Sequence, residues 1–172
     1  MIDGRRIAIL VEDGFEVSET FESMHVLKNA GAKVLYIGGA AGKRYQGKWP
    51  GAELYADDSA QAVDAFDFDA VIVPGGWDFE KVQDGQSMVK LVGEAYHAGR
   101  IVAAICRGPQ LLELAGILAG KHIACCSEIE SQLVAAGAQC INRAVVRDGN
   151  IITARKAADI PKFNKAIVEA LC

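Results

Sequence analysis

No stretch of this chain is long and apolar enough to span a bilayer. The longest apolar runs, such as Ile101 to Cys106, fall far short of the ~20 residues a membrane helix needs. The first six residues lack the hydrophobic centre of a secretory signal, so a cytoplasmic protein is expected. There is no basic cluster interleaved with aromatics, and the formal net charge is −4, so nucleic acid is not an expected partner. The five cysteines, at 106, 125, 126, 140 and 172, are odd in number and not spaced as a disulfide framework. No CxxC or Cys/His pair sits at zinc-ligand spacing, and no metal is expected. No Gly-rich loop cradles a phosphate, so a flavin nucleotide is unsupported and no cofactor is expected. Repeats, linkers and low-complexity segments are absent too. With 172 residues, the chain reads as one domain spanning 1–172.

What is present is an ordinary globular composition, 51% hydrophobic and 23% charged. Short β-branched runs alternate with helical patterns. Strands are expected at Arg6 to Val11, Lys33 to Ile37, Ala70 to Val73, Arg100 to Ile105 and His122 to Cys126. Helices are expected at Ser18 to Ala30, Gln86 to Ala98, Gln110 to Leu118, Glu128 to Ala136 and Ile160 to Leu171. Gln46 to Asp58 reads as irregular or weakly stranded. Asp148-Gly149 reads as the turn of a hairpin. Such alternation argues for a mostly parallel sheet with helices on both faces. Ligands then bind beyond the carboxyl ends of the strands, which points to the loops at 12–19, 74–78 and 106–109.

The most specific segment is Ala103-Ala104-Ile105-Cys106-Arg107-Gly108-Pro109-Gln110. A buried strand ends at Cys106, and a helix opens within three residues. An elbow of that kind strains its central residue and lifts its side chain above the sheet. The helix N-terminus favours a thiolate there, and Arg107 adds positive potential. The competing reading is a small buried core thiol. Glu16 and Glu19 fall in an acidic loop after the first strand. A carboxyl beside a thiolate stays protonated and donates a hydrogen bond, while acidic residues also simply suit a helix N-terminus. Gly75 and Gly76 follow Pro74 at the end of a strand. Their N–H groups either face an oxyanion or form a plain turn.

Together these segments resemble the ThiJ/PfpI superfamily, in its PfpI-like branch of intracellular peptidases and stress proteins. AICRGPQLL resembles that family's nucleophile elbow, usually AICHGPQLL. DGFEVSE is similar to its acidic loop, VIVPGGWD to its Pro-Gly-Gly strand end, and NIITARKAADIPKFNKAI to its C-terminal segment. The resemblance implies a flavodoxin-like three-layer α/β sandwich of the class I glutamine amidotransferase-like kind, assembled as a homodimer or higher homo-oligomer. It implies Cys106 as nucleophile, Glu19 as the carboxyl on the thiolate and Glu16 as a further acid. Gly75 and Gly76, with the amide of Arg107, are implied on the oxyanion side. One departure bears on mechanism: position 107 is Arg where the family has His. An imidazole returns a proton near neutral pH, whereas guanidinium stays charged. His25, His97 and His122 offer no evident replacement. The residue that often is aromatic at the end of the fifth strand is here Cys126, a packing group within reach of the site.

Three function classes follow. One is a cofactor-free, cysteine-dependent enzyme acting on small reactive carbonyls, of the glyoxalase or deglycase type. Another is a peptidase-like hydrolase, which the missing His disfavours because an amine leaving group needs a proton. The third is a non-catalytic redox sensor working through oxidation of Cys106.

Overall fold

The computed structural model describes residues 1–78 and 85–172. Among the described residues seven strands form the central sheet. In chain order the strands of the molecule are β1 (Arg6–Leu10), β2 (Lys33–Gly38), β3 (Arg44–Gln46), β4 (Glu53–Tyr55), β5 (Asp58–Ser59) and β6 (Ala70–Val73), then β7 (Ile101–Ile105), β8 (His122–Ile123), β9 (Gln139–Cys140), β10 (Val145–Asp148) and β11 (Ile151–Ala154). The sheet order is β10-β11-β7-β6-β1-β2-β5. Its pairings are parallel except the β10–β11 hairpin. Every residue of β6 and β7 is buried, as expected for strands covered on both faces.

The helices are α1 (Val17–Asn29), α2 (Gly85–His97), α3 (Pro109–Leu114), α4 (Glu130–Ala135) and α5 (Ile160–Leu171). Helices α1 and α5 pack together over one face, and α2 and α3 pack together over the other. The periodicity that buries them is plain in α5, where Ile160, Phe163, Asn164, Ile167 and Leu171 turn inward at the 3.6-residue repeat. The architecture is therefore the expected three-layer α/β sandwich. Among the described residues no helix is long and apolar enough to cross a membrane.

One expectation changes. The fifth strand, expected from His122 to Cys126, ends at Ile123 and lies outside the central sheet, paired with β9. The reason is a competitor on another strand: the Ala124 N–H leaves the ladder and donates to Thr153 Oγ1 at 2.8 Å. The segment read as irregular or weakly stranded holds β4, which forms a hairpin with β3. Tyr45 anchors it, fully buried, with its hydroxyl accepting from the Gly39 N–H at 2.6 Å. Tyr45→Phe leaves that amide unpaired, and the expected loss is about 1–2 kcal/mol, read as a lower Tm in thermal unfolding. An unchanged Tm would show that the bond contributes nothing.

The hairpin also fixes the loop after β1. The Gly14 N–H donates to the Gln46 carbonyl at 2.8 Å, and the Lys48 N–H to the Phe15 carbonyl at 3.1 Å. The Glu16 N–H, donating to the Gly75 carbonyl at 3.1 Å, holds the acidic segment against the end of β6.

Candidate active site at the strand ends

Strands β1, β6 and β7 are neighbours and run the same way, so their carboxyl ends deliver three loops to one place. Cys106 follows β7 directly. Its φ of 60° makes it the sole non-glycine residue with positive φ among the described residues, in a region that a Cβ disfavours. The elbow read from sequence is present. Its turn is tight: the Cys106 N–H donates to the Ala154 carbonyl at 3.1 Å, and the Gly108 N–H returns to the Ile105 carbonyl at 2.9 Å. A methyl on Gly108 would lie 2.2 Å from the Val73 carbonyl oxygen.

Glu19 enters from the first turn of α1 and is only 2% exposed. Its Oε2 accepts from the Gly75 N–H at 2.7 Å, a contact between residues 56 apart in sequence. A Cβ placed on Gly75 would meet Glu19 Oε2 at 3.0 Å and Cys106 Cβ at 3.3 Å. Glu19, Gly75 and Cys106 therefore pack as one unit. Burial pushes the Glu19 carboxyl up to about 7. The Gly75 amide opposes that shift, the nearby Glu16 reinforces it, and Lys48 opposes it.

The structure corrects two roles and relocates a third. The Gly75 N–H is taken by Glu19, so it does not face an oxyanion. Gly76 is the remaining glycine amide of that turn. Its φ of 107° and the backbone of Gly14 and Glu16 packed around it leave no room for a side chain. The Arg107 side chain is exposed and forms no ion pair among the described residues; its backbone N–H is what contacts the Cys106 sulfur. Glu16 stands at the N-cap position of α1 without a side-chain capping bond and pairs with Lys48 at the rim, acting on Glu19 through its charge.

The thiol of Cys106 is not the low one. Its hydrogen bond to Cys126 pushes it up, with burial and the Glu19 charge adding to the effect, and the Arg107 amide only partly opposing. Cys126 receives that hydrogen bond, and it is drawn down to about 6. Burial opposes this, while the backbone amides of Ile129 and Glu128 assist. The two sulfurs titrate as one pair that holds a single shared proton once the first has left. Sequence reasoning placed Cys126 within reach and gave it no task. The signal was the adjacent Cys125-Cys126 pair just past a strand end.

None of the histidines reaches the elbow. His25 is exposed and bonded to Asn29, His97 meets the Tyr96 ring edge to face, and His122 pairs with Asp148. Among the described residues no group of three or more His, Cys, Asp or Glu side chains is arranged to hold a metal.

The profile of the DJ-1/PfpI family matches residues 5–170. Protein/nucleic acid deglycase 2 of Escherichia coli is 32% identical over 97% of this chain and 98% of its own length. General stress protein 18 of Bacillus subtilis is 33% identical over 94% of this chain and 95% of its own. A crystal structure from Anabaena variabilis, of a protein with DJ-1/ThiJ/PfpI-like and ferritin-like domains, superposes with a TM-score of 0.93. It is 35% identical over 97% of this chain, which spans 48% of that longer protein. Profile, sequence relatives and superposition agree on one point: the chain belongs to the DJ-1/PfpI family.

Proposed function

We propose that the protein is a cofactor-free cysteine enzyme acting on small reactive carbonyl compounds, in the manner of a glyoxalase or deglycase. The observation that carries this reading is a buried carboxyl, Glu19, held up to about 7 beside a strained elbow cysteine, with no imidazole at hand. Relatives named as deglycases and stress proteins support it.

In this reading Cys106 is the nucleophile. As its sulfur attacks the carbonyl carbon, the proton of the Cys106–Cys126 pair stays on Cys126, which serves as the base that the family's His would otherwise supply. The developing oxyanion is held by the amide of Gly76, joined by that of Arg107 once the sulfur has given its charge to the adduct. Glu19, neutral below about pH 7, is the carboxyl that gives and retrieves protons at the adduct. Glu16 is tied to Lys48 and tunes Glu19. Peptide hydrolysis is disfavoured because no imidazole stands beside Cys106 to carry its proton on to an amine leaving group.

The test is turnover of glyoxals, glycated amines and peptides by wild type and Cys106→Ser. Wild type is expected to consume glyoxals, and the variant to lose roughly 10³-fold or more. The rate should rise with pH as Cys126 ionises near 6 and fall as Glu19 ionises near 7. Cys126→Ser should move the acid limb upward. Cleavage of peptides alone would overturn the proposal. So would inactivity on every substrate together with peroxide modification of Cys106, which would favour a sensor.

A further inference from the structure

A second pair of thiols lies outside this arrangement. Cys125 Sγ and Cys140 Sγ are 3.4 Å apart, although 15 residues separate them in sequence. Cys140 is delivered by β9, and the Ile141 N–H that follows it donates to the Ile123 carbonyl at 2.8 Å. On the other side, the Ala124 N–H is fixed to Thr153 Oγ1. Both sulfurs are thus positioned by backbone on either flank, and neither is fully buried.

Both also face a cavity of about 390 Å³, whose walls include Cys126, Glu130, Arg155 and Lys156. The charge of Arg155 is met by Asp159, with contacts of 3.0 and 3.1 Å. Lys156 is exposed and makes no ion pair among the described residues. The cavity therefore offers two touching thiols, with the Lys156 ammonium and the Glu130 carboxylate both in its wall.

We propose that Cys125 and Cys140 form a second thiol centre, a dithiol that exchanges with small carboxylate-bearing disulfides admitted to this cavity. The Cys140 sulfur, as thiolate, attacks one sulfur of the incoming disulfide. That S–S bond breaks, a mixed disulfide to Cys140 forms, and one small thiolate departs and takes up a proton. Cys125, deprotonated as it reacts, then attacks the Cys140 sulfur and expels the second small thiol. The two protein thiols lose two electrons and two protons, and the small disulfide gains them. Closing the bond draws the sulfurs from contact to about 2.05 Å. The order of attack follows from burial, which pushes the Cys125 thiol up and makes it the slower nucleophile. Lys156 receives a carboxylate of the disulfide and speeds its capture.

Oxidised glutathione is the probe, with intact protein mass and peptide mapping as readouts. In Cys106→Ser, which leaves the elbow thiol out of account, the free thiols are expected to drop by two. The mass should fall by about 2 Da, and a Cys125–Cys140 peptide should appear. Cys140→Ser should not form that link, and any adduct on Cys125 should persist. Lys156→Glu, at an exposed position, should slow the reaction roughly three- to tenfold at low salt with glutathione disulfide and not with the cationic disulfide cystamine. No thiol loss, or a link confined to other cysteines, would overturn the dithiol centre. Equal slowing with both probes would overturn the assigned ligand class.

Discussion

Gly108→Ala is expected to lower stability by about 3 kcal/mol and Tm by roughly 10 °C. The added methyl would lie 2.2 Å from the Val73 carbonyl oxygen and 2.9 Å from that of Ile105. Neither oxygen can retreat cheaply, because β6 and β7 are paired to each other and buried throughout. Gly108 itself has an ordinary φ of −52°, so the effect is one of close approach and not of backbone preference. The elbow should be forced open, and labelling of Cys106 by iodoacetamide should change with it. A thermal transition within about 2 °C of wild type would show that the turn has slack that the structure does not reveal.

Glu19→Gln should remove a pH dependence of about 3 kcal/mol. The folded carboxyl is raised from 4.5 to about 7, so between those values the folded protein binds a proton that the unfolded chain has released. Wild-type stability is therefore fullest below about pH 4.5, falls as pH rises to about 7, and levels off above. Glutamine keeps an acceptor for the Gly75 N–H and does not titrate. Urea unfolding at a series of pH values should show the variant gaining on wild type across this window. Parallel curves would mean that Glu19 is not the buried acid of this fold.

The sequence made the elbow legible because its chemistry is local. A buried strand, a cysteine, a glycine and a proline in succession admit few backbones, and the helix from Ile160 to Leu171 was readable from its repeat. What stayed hidden depends on contacts between distant segments. That Glu19 occupies the Gly75 amide is settled only when α1 and the end of β6 meet. The expected fifth strand failed because Thr153 competes for the Ala124 amide, and no periodicity reports a competitor on another strand. Arg107 was read as a charge over the sulfur, yet the left-handed turn at Cys106 presents the amide of residue 107 and sends its side chain to solvent. The meeting of Cys125 with Cys140 depends on the β8–β9 pairing, which residue spacing does not encode.

The left-handed backbone at Cys106 penalises any side chain by about 1–2 kcal/mol. Glycine escapes that penalty and returns only about 0.5–1 kcal/mol through its freer unfolded chain. The sulfur is half-buried, so little packing is forfeited with it. A population of variants sorted for expression or heat tolerance alone should therefore accumulate Cys106→Gly, a sturdier and chemically silent protein. Under that selection the first position to drift is the one on which the chemistry depends, so a library of this chain has to be screened for thiol reactivity alongside folding.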